Sequence, residues 1–143
     1  MKLWQLFSLG RRALLLAEQV TQRGSGQHVI AFDDRVGKAL AESGHRVTRL
    51  EGEQPFPGEE LVDGVCFDAL GEAKEPLDRL RASLRAVRAG GYVLSATPSP
   101  LGGDHVGAAK LSATFLHAGL VELRQETRRG LLLTCGRVRR GTT

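Results

Sequence analysis

Apolar positions along the chain follow two periods, one helical and one extended. Over residues 3–22, Leu3, Leu6, Phe7, Ala13, Leu14, Ala17 and Val20 recur at intervals of three, four and their multiples, near one face of a helix. Gln, Arg and Glu fill much of the opposite side, and Arg23-Gly24-Ser25-Gly26 ends the helix in a loop. His28 to Phe32 is a short apolar run between that loop and Asp33-Asp34, which suits a strand buried on both faces. A brief helix over 35–43 stops at Gly44. Arg46 to Leu50 then alternates Val47 and Leu50 with polar residues, as a second strand does.

Glu51 to Gly58 holds two prolines and two glycines and reads as a loop. Val62 to Phe67 is a third strand. Pro76 suits a helix first turn, and Leu77, Leu80, Leu84 and Val87 follow at helical spacing, so the pattern predicts an amphipathic helix over 76–88, ended by Gly90-Gly91. Tyr92 to Ala96 is a fourth strand, 97–104 a Pro/Gly/Ser loop, and 106–118 a helix closed by Gly119. Leu120 to Gln125 and Leu131 to Val138 form an antiparallel pair across a turn at Arg128-Arg129-Gly130. No internal repeat is present.

Strands alternating with helices imply an α/β domain with a mostly parallel sheet and right-handed crossovers. Ligands in such sheets bind beyond the carboxyl ends of the strands. Those ends carry Asp33 and Asp34, Glu51, Asp68, and Thr97 with Ser99.

Composition narrows the class without adding chemistry. The chain's 143 residues suffice for one domain: a helix over 1–24, a core over 28–138 and a tail over 139–143. An apolar share of 41% and a charged share of 25% are ordinary for a globular protein. Net charge is +4 and the pI about 9.6, with only four lysines against many arginines. That bias fits a high-GC bacterial genome better than a nucleic-acid surface, for which it is weak support. Cys66 and Cys135 each sit inside an apolar run, as buried thiols in a reducing compartment do, and offer no zinc spacing. Arg11 and Arg12 interrupt the apolar N-terminal stretch well before the roughly 18 residues of a membrane span, and no signal-peptide cleavage site follows. The expected location is the cytoplasm, with no membrane partner.

Three stretches resemble the class I S-adenosylmethionine-dependent methyltransferase family. Val29-Ile30-Ala31-Phe32 through Leu50-Glu51 is similar to the family's first strand, cofactor loop, helix and second strand with its acidic end. Pro55-Phe56-Pro57-Gly58-Glu59 and Val62 to Leu70 resemble its Pro-Phe segment and fourth strand. Leu84 to Ser95, with the double glycine Gly90-Gly91, resembles its next helix, turn and fifth strand. The likeness covers roughly 29–138 and implies a Rossmann-like sheet with a C-terminal antiparallel hairpin and an N-terminal helix. It implies S-adenosylmethionine as cofactor, with Asp33, Gly37, Glu51 and Asp68 around it, and Glu51 holding the ribose hydroxyls.

Two departures point to a degenerate, truncated member. The resemblance calls for a Gly-x-Gly-x-Gly loop after the first strand, where glycines let the backbone approach the cofactor. Asp33-Asp34-Arg35-Val36-Gly37 stands there, with Gly37 alone remaining. Asp33 and Arg35 would fill space the cofactor needs, and Asp33 would face its methionine carboxylate at a cost of about 1–4 kcal/mol. The family's helix and third strand are also missing between Glu51 and the Pro-Phe segment.

The expected function is therefore a non-catalytic binding or scaffolding module, with a protein partner or a second copy as its target and the cofactor bound weakly or not at all. No catalytic residue and no metal site can be named, since the four histidines share no metal spacing. One alternative is a small active methyltransferase working by positioning. Another is a receiver-like signalling domain, in which Asp33-Asp34 would be the acidic pair, the strand over 63–68 would end in the phosphorylated Asp68, clustered carboxylates would hold magnesium beside it, and Ser95 or Thr97 would serve as the hydroxyl. Trp4, Leu6 and Phe7 on the first helix cover the sheet or offer a partner surface.

Overall fold

A computed structural model of the chain describes residues 3–50, 61–68, 70, 75–98 and 105–140. The elements are α1 (Leu3–Arg23), β1 (His28–Ala31), α2 (Asp34–Glu42), β2 (Arg46–Arg49), β3 (Val62–Asp68), α3 (Pro76–Leu84), β4 (Val87–Pro98), α4 (His105–His117), β5 (Val121–Arg128) and β6 (Leu131–Arg137). They build one six-stranded sheet in the order β2-β1-β3-β4-β6-β5. The first four strands are mutually parallel, and β6 runs antiparallel to both β4 and β5.

Both faces of the central strands are covered, which is why those strands read as continuous apolar runs. One face carries Val29, Ala31, Cys66, Leu94, Ala96 and Leu133 against α1 and α2. The other carries Ile30, Val65, Phe67 and Val93 against α3 and α4, with Leu80, Leu111 and Phe115 fully or nearly buried. On α1 the inward residues are Arg12, Ala13, Leu15, Leu16, Ala17, Gln19 and Val20. Leu14, expected on that face, points out and is 59% exposed, because it lies about 200° around the axis from Arg12. The side chains of Trp4, Leu6 and Phe7 lie outside the described residues.

The helix expected over 76–88 ends at Leu84, and the chain is extended from Val87. Val87 pairs in register with Val62, and the Val62 amide donates to the Ala86 carbonyl at 2.8 Å. Its spacing from Leu84 matched a helix, yet its partner is a strand. A register shift between Val62 and Gly64 absorbs the double glycine, with Gly90 in the left-handed region at φ 80°. The other elements fall within one to three residues of their expected bounds. The hairpin closes on Arg129 and Gly130, both left-handed, so β5 reaches Arg128.

Two polar knots fix the amino ends of the strands. The Asp63 carboxylate on β3 accepts the His28 amide of β1 at 2.8 Å and Arg88 Nε of β4 at 2.6 Å. His45 is buried between α1 and β1, where Nδ1 accepts the Gln27 amide at 3.1 Å. Nε2 must then carry the proton and donate to Thr21 Oγ1 at 3.0 Å, while that hydroxyl donates to the Ala17 carbonyl.

Residues 51–60, which include Glu51, lie outside the described part. Among the described residues β2 is a sheet edge.

Two substitutions test this frame. A Cβ at Gly64 would run into the Tyr92 ring, so Gly64→Ala should destabilise by about 1–3 kcal/mol in urea denaturation. Burial pushes the Asp63 carboxyl up, but the His28 amide and Arg88 outweigh it and hold the group below its ordinary value. That stabilisation is present above the unfolded carboxylate pKa and is lost as pH falls through the lower folded one. Asp63→Asn should therefore cost about 1 kcal/mol at pH 7, and the gap from wild type should close below about pH 4.

Candidate functional site

The parallel strands end together at Ala31, Arg49, Asp68 and Pro98, and the side chains around these ends define the crevice where this fold class binds ligands. The turn after β1 is only Phe32 and Asp33. Asp33 is extended (φ −126°, ψ 138°), and its Oδ1 accepts the Arg35 amide at 2.8 Å and the Val36 amide at 3.2 Å. It is the N-cap of α2, a role worth about 1 kcal/mol. No residue from 32 to 37 has positive φ, so this turn needs no glycine. Gly37 is a helical residue inside α2, and its amide makes the first α-helical bond, to the Asp33 carbonyl at 3.0 Å. A Cβ there would meet Val47 at 3.6 Å, an ordinary contact, so the packing of α2 on β2 does not require a glycine at this position.

Asp34, in the first turn of α2, pairs with Arg49 Nε at 2.9 Å, and Arg49 also donates to the Leu50 carbonyl. Asp34 is 92% exposed in its side chain, so the pair is weak. Asp68, at the end of β3, is held differently. Arg12 of α1 reaches it with both Nε and Nη2, the latter donating to Oδ2 at 3.3 Å. The two side chains are only 10% and 15% exposed. This two-point guanidinium–carboxylate contact fixes α1 across the strand ends.

An aromatic pair lines the α3 side of the crevice. Phe32 stacks on Phe67 with ring centroids 5.0 Å apart and planes 16° from parallel. The Arg79 guanidinium of α3 covers Phe32 at 5.0 Å. On β4, Ser95 Oγ and Thr97 Oγ1 are buried with no hydrogen-bond partner among the described residues.

Of the four candidate cofactor residues, the structure brings Asp33 and Asp68 to the strand ends, sets Gly37 one turn into α2, and leaves Glu51 outside the described part. Arg12, Phe32 and Arg79 were not singled out from the sequence. The only signal for Arg12 was a charge among apolar residues at inward-facing positions of α1. A receiver arrangement is excluded by topology: that sheet is parallel in the order 2-1-3-4-5, whereas here β6 enters antiparallel and β5 forms the far edge.

This architecture is the class I methyltransferase fold, with a Rossmann-like parallel half and a terminal antiparallel hairpin. Among solved structures, the chain superposes on 1,6-didemethyltoxoflavin-N1-methyltransferase of Burkholderia thailandensis, solved with S-adenosylhomocysteine, at TM-score 0.67 and 16% identity. That match covers 92% of this chain and 78% of the other. A SAM-dependent methyltransferase of Thermotoga maritima matches at TM-score 0.58 and 12% identity, over 93% of this chain and 92% of the other. The [4+2]-cyclase SpnF matches at TM-score 0.61 and 13% identity, over 92% and 81%. No protein-family model and no curated protein matches the sequence. At identities this low the likeness establishes the fold alone, and a cyclase among the neighbours shows that the fold does not fix the reaction.

Among the described residues no helix is long and apolar enough to cross a membrane. The thiols of Cys66 and Cys135 are free and buried, and burial pushes Cys66 up to about 12.

The Arg12–Asp68 contact has a direct test. Arg12→Met leaves a carboxylate in a mostly buried position and should cost about 2–3 kcal/mol in urea denaturation. The double variant Arg12→Met/Asp68→Leu should recover most of that loss, and strict additivity of the two substitutions would show that they do not interact.

Proposed function

We propose that this domain uses the methyltransferase fold as a non-catalytic binding module, with S-adenosylmethionine bound weakly or not at all. The observation that carries the reading is the Asp33 cap. The α2 amides of Arg35 and Val36 are the donors an anionic ligand group would need at a helix N-terminus, and Asp33 already occupies them. A second carboxylate brought to that place would meet the charge of Asp33. Asp68, the other acid at the strand ends, is already paired with Arg12. Phe32 brings a ring, stacked on Phe67, to the stretch where the family has its glycine-rich loop. These residues do not fit the cofactor, so no chemical step is assigned through it.

The partner in this reading is a protein surface or a second copy of the chain, in the cytoplasm, where reduced buried thiols persist. One observation favours a second reading, an active small methyltransferase. The Thermotoga maritima structure is covered over 92% of its length, so its extent is close to that of this chain. Asp33, Gly37, Glu51 and Asp68 would then surround the cofactor after the cap and the Arg12 contact open.

Calorimetric titration with S-adenosylmethionine separates the two. Binding that is absent or millimolar is the expected result. Micromolar affinity would overturn the binding-module reading and restore the enzyme.

A further inference from the structure

A second cleft lies at the opposite end of the sheet from the crevice. It is lined by Arg23, Tyr92, Leu123, Arg124, Cys135 and Arg137, with Glu122 and Gly136 completing the wall, and has a volume of about 470 Å³. Tyr92 faces Arg137 midway along β4, where its pairing with β6 begins, while Pro98 faces Leu131 at the end of β4. Six residues of extended chain put the cleft about 20 Å from the strand ends that form the crevice.

The charge on this cleft is unbalanced. Three arginines face one glutamate, and Glu122 is committed to Arg137 at 3.3 Å on the rim. Arg23 has no acidic partner among the described residues. Its Nη1 donates to the Gln19 carbonyl at 2.8 Å, and its guanidinium lies 5.0 Å from the Tyr92 ring centroid, which holds the plane in place while other N–H groups remain to donate. Arg124 forms no ion pair among the described residues. Two guanidinium groups, one pre-oriented, thus stand at one cleft with no counter-charge paired to them among the described residues. Tyr92 Oη is already bonded to Gln27, and burial raises the Cys135 thiol even against the nearby Arg23, so neither adds negative charge.

The backbone is shaped around the same place. A register shift between Val121 and Arg124 breaks the β5–β6 ladder, and Glu122 sits in the left-handed region at φ 52°, which a non-glycine residue adopts only under constraint. The irregularity sets Arg124 directly opposite Cys135. Bulges of this kind re-aim side chains and cluster at binding sites. The wider field agrees: residues 1–120 carry 14 basic and 14 acidic side chains, while residues 121–143 carry six arginines and two glutamates. Within that stretch Arg128 and Arg129 lie at the hairpin turn, at the crevice end of the sheet, so the basic excess toward the cleft is that of Arg124, Arg137, Arg139 and Arg140 over Glu122.

We propose that this cleft is a binding site for a small phosphorylated ligand, whose phosphate is held by Arg23 and Arg124. Two uncompensated guanidinium groups match a phosphate monoester dianion better than a single carboxylate. The volume admits a molecule of sugar-phosphate or mononucleotide size. The site is independent of whether the crevice accepts S-adenosylmethionine.

Ribose 5-phosphate is the probe, because it carries the phosphate without an adenine that could enter the crevice. Calorimetry should show submillimolar binding of ribose 5-phosphate and none of ribose. Arg124→Gln should weaken it about tenfold, with Arg124→Lys between the two, since a point charge lacks the guanidinium fork. Amide resonances of Glu122, Arg124 and Gly136 should move on titration. Arg124 is exposed, so its variants are expected to keep the fold, which the amide spectrum checks directly. Four results would overturn the proposal: no binding at millimolar ribose 5-phosphate, equal affinity for malate, unchanged affinity in Arg124→Gln, or shifts confined to Arg35 and Val36.

Discussion

The Asp33 carboxylate on the first amides of α2 is the contact on which the ligand-binding end of this molecule depends. In a doubly wound sheet, the turn after the first strand normally leaves those amides open and uses glycine to keep side chains away. Here the turn is two residues long, extended at Asp33, and closed by its own side chain. The helix can then begin at Asp34, and Asp34 reaches Arg49 at the end of β2. Without a glycine, Phe32 brings an aromatic ring to the start of the turn, where it stacks on Phe67 under Arg79. One cap thus accounts for the missing glycines, the short connection and the aromatic wall.

Arg12 completes the closure from the other face. A buried ion pair contributes little net stability but is costly to break from one side, so its effect is positional. It fixes α1 across the end of β3. The pair also explains why a helix otherwise packed through Leu16, Ala17 and Val20 carries an arginine that is only 8% exposed. The hydroxyls of Ser95 and Thr97 are buried at this end without a hydrogen-bond partner among the described residues.

Most of the fold could be read from periodicity because both sheet faces are buried and the helices are amphipathic. Val87 shows where that reading failed. Its spacing from Leu80 and Leu84 is helical, but its partner is Val62 on a neighbouring strand, and only tertiary pairing decides between the two. Leu14 failed for a related reason, since spacing locates a face only to within a wide arc and the true inward face of α1 included Arg12 and Gln19. The site was legible in part. Asp33 and Asp68 do stand at strand ends, as alternation and turn signals required. What they bind was not legible: a cap depends on backbone angles, and the Arg12–Asp68 pair joins residues 56 positions apart. Gly37 reads as the remnant of a glycine loop only from its place in the Asp33–Gly37 run; the helix expected over 35–43 already contains it, as α2 does.

The central claim is that the chain's own carboxylate occupies the donors a cofactor would need. Amide chemical shifts of Arg35 and Val36, followed while S-adenosylhomocysteine is added to millimolar concentration, test it most directly. The account predicts that both resonances stay where they are, downfield as hydrogen bonds to a carboxylate require. Saturable shifts of both amides at micromolar ligand would show that the cap opens to a cofactor, and would contradict it.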